Sequence, residues 1–142
     1  MKKYPLLFLA VAVALGGCQQ PGPTVYLADG SVVQDADWPM WDRAKAMAVM
    51  PLWKDRASSH HLVRLAGSEK PHVHDTHDLT VFVLKGRVRM HLGERSVDLK
   101  PGDVVQVPHG LRHWAQNLGP GAGEAYVIFS PFYDGRDKRL VD

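Results

Sequence analysis

From His60 to Ser130 the chain is a succession of short apolar, β-rich runs broken by Gly and Pro turns. His61 to Ala66 reads as a strand that ends at Gly67, and Thr80 to Lys85 as a second that ends at Gly86. Arg87 to Leu92 alternates, which puts Val88, Met90 and Leu92 on one face. Gly93 and Glu94 turn the chain, and Val97 and Leu99 continue that face on the return strand. Pro101-Gly102-Asp103 makes another turn before the strand Val104 to Val107, and His113 to Asn117 and Ala125 to Ser130 add two more. Strands this short and this regularly spaced predict an all-β barrel or sandwich.

The N-terminal part has a different character. Lys2 and Lys3 precede the apolar run Leu6 to Leu15, and Gly16-Gly17-Cys18 follows. A positive start, an apolar stretch and small residues are the layout of a secretory signal. The run is too short to span a bilayer as a helix. Leu-Gly-Gly-Cys resembles the bacterial lipobox, which implies that residues 1–17 are a lipoprotein signal peptide and that Cys18 is lipidated. The chain would then be anchored to a membrane of the bacterial cell envelope by acyl chains, facing outside the cytoplasm. Residues 18–24 would form the lipidated cysteine and a flexible tether, Gln19 to Thr24. The chain has one Cys, so an internal disulfide framework and a cysteine zinc cluster are both excluded. Loss of residues 1–17 removes two lysines and no acid, taking 17 basic residues to 15 against 15 acidic. A mature charge near zero gives no footprint for nucleic acid.

Residues 25–58 read as an N-terminal extension to a barrel over 59–132, with a charged tail over 133–142. Within the extension, Asp35 to Met50 can hold a short helix, with Asp37 as N-cap, Pro39 early, and good helix formers over Arg43 to Ala48. Trp38, Trp41 and Trp53 are expected to bury against the domain.

The chain holds eight histidines, and His60, His61, His72, His74 and His77 lie close together. On a strand, His72 and His74 point to one face and can aim two imidazoles at one divalent metal. Further on stand Gly102, Pro108, His109, Gly110, His113 and Asn117. Their spacing resembles the second motif of the cupin superfamily, G-x5-P-x-G-x2-H-x3-N, at every fixed position. Gly67, His72, His74 and Gly86 approximate the first, G-x5-H-x-H-x(3,4)-E-x6-G, with Gly67 one residue too close to His72.

The resemblance implies a cupin jelly-roll β-barrel with a metal inside near its mouth. It carries the family's ligand role onto His72, His74 and His113. Pro108 and Gly110 would turn the chain so that His113 faces the first pair, and Asn117 would hold the following turn. The family's fourth ligand falls on Asp78 or on Leu79, depending on the count. Leu79 cannot bind a metal, and Asp78 would need a bulge or an early turn to face inward. His77 has the inward parity and competes with it. A three-histidine site with open positions is the remaining arrangement. Of the other histidines, one of His60 and His61 faces inward, His91 lies on a polar face in solvent, and His109 sits on the loop surface or the pocket rim. Trp114 should point away from the site.

Such a site suits one divalent transition metal, Fe, Mn, Ni, Zn or Cu, and the donor set does not choose among them. Open positions leave room for a small-molecule ligand. Dioxygenase or isomerase chemistry is one expectation. A non-catalytic metal- or ligand-binding module is a second, and a metal-free barrel that scaffolds a protein partner is a third. The family resemblance also implies that a homodimer is a common assembly.

Overall fold

A computed structural model describes residues 22–34 and 37–142. Cys18 and the signal-like segment therefore lie outside the described residues. Twelve strands and one helical turn follow in the order β1 (Thr24–Tyr26), β2 (Val32–Gln34), α1 (Met40–Arg43), β3 (Met47–Lys54), β4 (Ser59–Leu65), β5 (His72–His74), β6 (Asp78–Lys85), β7 (Val88–Leu92), β8 (Arg95–Leu99), β9 (Val104–Val107), β10 (His113–Asn117), β11 (Gly123–Ser130) and β12 (Lys138–Leu140). β1 and β2 form a hairpin of their own. The others make two five-stranded antiparallel sheets, β12-β5-β10-β7-β8 and β3-β4-β11-β6-β9. The all-β expectation is met as a two-sheet jelly roll.

Alternation along the strands builds the core between the sheets. Leu79, Val81 and Val83 on β6 face inward, as do Val127 and Phe129 on β11, Met90 on β7, Leu99 on β8 and Val107 on β9. Leu79 pairs with both Phe129 and Val107 across β6, so one cross-strand row lies on the inner face. A second cluster lies outside, where Trp38, Ala48 and Leu62 gather Val25, Val33 and Leu84 from the extension and β6. The extension thus caps the outer face of the β3–β9 sheet.

Three expectations for the extension need correction. Among the described residues the α-helix runs only over Met40–Arg43, and its N-cap is Pro39. Asp37 instead accepts a hydrogen bond from the Gln34 amide at 2.6 Å. Met47 and Ala48, assigned to a helix by propensity, belong to β3, which pairs with β4 from Met47↔Leu65 to Lys54↔Ser59. Pairing and the burial of Ala48 outweigh a helix preference of a few tenths of a kcal/mol per residue, roughly. Pro51 is tolerated because β3 is an edge strand. Of the tryptophans only Trp38 is buried, at 2% exposure, whereas Trp41 and Trp53 are 68% and 52% exposed. The C-terminal residues are also sheet, since β12 pairs with β5 from Lys138↔His74 to Leu140↔His72.

Two glycines shape the frame of the site. Gly86 has φ +79°, and a Cβ there would stand 2.8 Å from the Gly123 Cα. Gly110 has φ +73°, and its N–H donates to the His74 carbonyl at 2.7 Å. That bond ties the Pro108–Gly110 turn to β5, and β10 begins three residues later. Asn117 holds the next turn, with Nδ2 on the Gly121 carbonyl at 2.9 Å and Oδ1 accepting from the Gly119 amide at 3.2 Å.

Candidate metal centre

β5 lies between β12 and β10, and β10 is paired so that His113 stands opposite His72. Alternation on β5 puts His74 on the same side as His72. The ring centroids are 4.4 Å apart for His72 and His113, 5.2 Å for His72 and His74, and 5.5 Å for His74 and His113. One nitrogen from each ring lies within 4.8 Å of the others, and all three side chains are buried.

Two of the rings are held by backbone. His72 Nδ1 is 2.8 Å from the Lys70 carbonyl and His113 Nδ1 is 2.8 Å from the Leu111 carbonyl. A carbonyl only accepts, so each Nδ1 carries the proton and each Nε2 keeps its lone pair. Metal-binding histidines are oriented in this way. His113 Nε2 and His74 Nδ1 are buried with no hydrogen-bond partner. Leaving such an atom unpaired costs about 1–3 kcal/mol; a divalent cation among the three rings would satisfy His113 Nε2, whereas His74 Nδ1 lies 3.9 Å from Asp137 Oδ2. Burial pushes all three imidazoles below their ordinary value of 6.5. For His74, burial and then the His113 and His72 rings hold the value down at about 4. The triad is thus neutral at pH 7, the form that ligates metal. The residues present fit a divalent transition metal.

The structure does not bring a fourth ligand from β6. Asp78 is half-exposed at the start of β6, on the opposite face from the buried Leu79. Its Oδ1 accepts from the backbone and ring nitrogens of His109, both at 2.8 Å. His77 is buried, but it lines a separate pocket with Thr76, Phe132 and Asp137 rather than the cavity at the triad, and both its nitrogens are engaged. Nδ1 is 2.5 Å from Asp137 Oδ2, and Nε2 is 3.0 Å from the Phe132 carbonyl. Asp137 also accepts from the amides of Asp75 and Thr76, which fixes the turn between β5 and β6 without a bulge toward the rings. Among the described residues the site is three histidines.

A partly enclosed cavity of about 200 Å³ opens on the triad. Its polar lining includes side chains the sequence did not single out. Lys138 stands opposite His74 in the β12–β5 register, and its Nζ lies 3.2 Å from Glu69 Oε1. Glu69 Oε2 accepts from the Ala115 amide at 3.0 Å, so this carboxylate is clamped to β10. Tyr133 meets His74 edge to face at 5.4 Å. Glu69 lies in a loop and Lys138 in a charged tail, where no periodicity marks an inward position. His61 is the inward member of the His60/His61 pair and lines the cavity, with Nε2 on Ser59 Oγ at 3.0 Å. His91 is not solvated as expected. It stacks on Trp114 at 4.0 Å, on the face away from the triad, and Arg112 covers the indole at 4.7 Å.

The family described as Cupin domain matches residues 61–129. An uncharacterized protein of Aquifex aeolicus (strain VF5) is 40% identical over 84 residues, which cover 59% of this chain and 69% of that protein. KdgF from Halomonas sp. is 26% identical with a TM-score of 0.59, over 63% of this chain and 82% of that one. TT1209 from Thermus thermophilus is 25% identical with a TM-score of 0.58, over 68% and 97%. Streptomyces PAC13, solved with uridine, shares the fold at 16% identity and a TM-score of 0.61, over 68% and 79%. The matched family segment runs from β4 through β11 and contains all three histidines. By sequence, strand topology and the placement of its triad, the chain belongs to the cupin superfamily.

Proposed function

We propose that this cupin holds one divalent transition metal on His72, His74 and His113 and presents it to a small molecule in the adjoining cavity. The observation that carries this reading is the convergence of three buried, neutral imidazoles, two of them fixed by backbone carbonyls. A bound divalent metal supplies Lewis-acid polarisation of an oxygen ligand, or O₂ chemistry where the metal is redox-active. The protein's part is to bind and orient. The rings fix the donor directions, and the apolar walls exclude water from the ligand. We further propose that the protein is a lipoprotein of the bacterial cell envelope, anchored through Cys18. The support is the signal-like segment before that cysteine.

A reaction that moves a proton would also need an acceptor in the cavity. Glu69 is the carboxylate lining the cavity, and both its oxygens are engaged, one by Lys138 and one by the Ala115 amide. Asp78 faces outward. A binding or sensing module is the second reading; turnover that needs a proton acceptor would draw on Glu69 released from Lys138, or on His61, whose Nδ1 is buried without a hydrogen-bond partner. A homodimer is an assembly consistent with either.

Metal analysis of the full chain, beside His72→Ala and His113→Ala, tests the proposal. About one transition metal per chain is expected, lost in both variants while the β-type circular dichroism spectrum is kept. Equal metal content in all three proteins would overturn the ligand assignment. No metal after reconstitution with iron, manganese, nickel, copper and zinc in turn would leave the metal-free scaffold.

A further inference from the structure

The cavity beside the triad has a chemical preference written in its walls. Leu79, Val81, Val127 and Phe129 line it from one sheet, and Met90 and Ala115 from the other. None of these side chains can give or take a hydrogen bond, apart from the weak thioether of Met90. A ligand hydroxyl pressed against them would lose water without replacement, at about 1–3 kcal/mol each. Size is a second limit. The cavity measures about 200 Å³. An apolar hole of about 150 Å³ accepts benzene, and drug-sized pockets start at about 300 Å³. The space therefore suits one ring, or a short branched chain, with a small head.

The polar groups gather at the triad. Lys138 faces the cavity opposite His74, Glu69 pairs with Lys138, and Tyr133 packs against the His74 ring. His61, the other polar lining residue, has Nε2 on Ser59 Oγ and packs edge to face on Phe129. A divalent cation on three neutral rings adds two positive charges and Lys138 a third, against the carboxylates of Glu69 and of Asp137, whose Oδ2 lies 3.9 Å from His74 Nδ1, so one positive charge is left over. That end of the cavity calls for an anion.

We propose that the ligand of this site is a compact, hydroxyl-poor monoanion, whose apolar body fills the inter-sheet cavity and whose oxyanion head lies between the triad and Lys138. Lys138 is then the residue that selects the charged head, exchanging Glu69 for it. This rests on the reading of the cavity as the functional site. It separates this protein from a binder of sugars or nucleosides, whose several hydroxyls would find only His61 and Tyr133 as partners away from the charged end.

Three probes on the metal-loaded full chain, measured by titration calorimetry, decide the matter. Benzoate has the body and the charge, benzyl alcohol the same body without charge, and galacturonate the charge on a hydroxylated body. Benzoate is expected to bind at least about ten-fold tighter than either of the others. Lys138→Met should bring benzoate to the level of benzyl alcohol and leave benzyl alcohol within about two-fold, while Lys138→Arg keeps the charge preference. Galacturonate binding as tightly as benzoate would overturn the proposal. So would Lys138→Met weakening both aromatic probes alike, or no saturable benzoate binding. Metal content of the same samples keeps the two readings apart. Stoichiometric metal without benzoate binding sinks this proposal alone, and benzoate binding by a protein that takes up no metal sinks the metal centre alone.

Discussion

Two backbone carbonyls, those of Lys70 and Leu111, decide how His72 and His113 present themselves, because each fixes the proton on Nδ1. The motif spacing placed all three histidines, since alternation on β5 and one turn before β10 are local properties. The fourth position was not legible in the same way. Asp78 and His77 differ by one residue in parity, and what settles both is Asp137, some sixty residues away, clamping the Asp75–Thr76 turn and taking His77 Nδ1. No local pattern announces a partner at that distance. It follows that Asp78→Ala should leave metal stoichiometry unchanged by elemental analysis, because Asp78 is spent on His109 at the surface. Loss of metal in that variant would restore Asp78 as a ligand. His61 allows a second test, outside the triad. Burial, and then the neighbouring His60 charge, lowers its pKa from 6.5. An imidazole depressed in the folded state stabilises the fold fully above pH 6.5, and that contribution is lost as pH falls toward the folded value. In chelator, His61→Phe should therefore show a smaller drop in urea midpoint between about pH 7.5 and about pH 5.5 than the parent protein does. An equal drop would show that His61 is not a proton-linked group.

Elements with two apolar neighbours were legible, and elements defined by a distant edge were not. β6, β7, β9, β10 and β11 announce themselves through alternation or β-branched runs between Gly/Pro turns. β3 does not, because Met47 and Ala48 carry helix-forming residues and only the pairing with β4 overrides them. β12 reads as a charged tail because Lys138, Arg139 and Leu140 lie at an edge, all of them exposed. Yet β12 brings Lys138 to the cavity, and Arg139 to an ion pair with Asp75 at 2.8 Å. The turn at Gly86 shows what holds such elements in register. It needs a positive φ, and it needs space, since β11 begins with Gly123 only 2.8 Å from where a Cβ would lie. Gly86→Ala should cost about 2–4 kcal/mol, combining left-handed strain with overpacking. A urea or thermal unfolding curve would read it. A change under about 0.5 kcal/mol would mean that the β6–β7 turn can relax away from Gly123.

At the scale of the whole molecule, the ligand cavity and the N-terminal extension lie on opposite sides of one sheet. The triad and its cavity lie between the two sheets, whereas the extension packs its own small core of Trp38, Ala48 and Leu62 on the outer side of one sheet. Gln19 to Thr24 joins that cap to Cys18. Even fully extended, six residues reach only about 20 Å, so an acyl chain on Cys18 would hold the folded domain close to the bilayer. Nothing in the ligand set depends on that anchor, because His72, His74 and His113 and the carbonyls that orient them all lie within residues 70–113. Anchoring and metal binding should then be independent. Cys18→Ser in the full chain is expected to move the protein from the membrane fraction to the soluble or unprocessed pool. A single acyl chain already binds a membrane, and a lipoprotein carries more than one, so removing all of them should be plain by fractionation. Metal per chain should stay that of the parent. An unchanged membrane fraction would mean that another part of the chain meets the bilayer. A loss of metal along with release would mean that lipidation, or the export it accompanies, controls loading of the site, and the two functions would have to be treated as one.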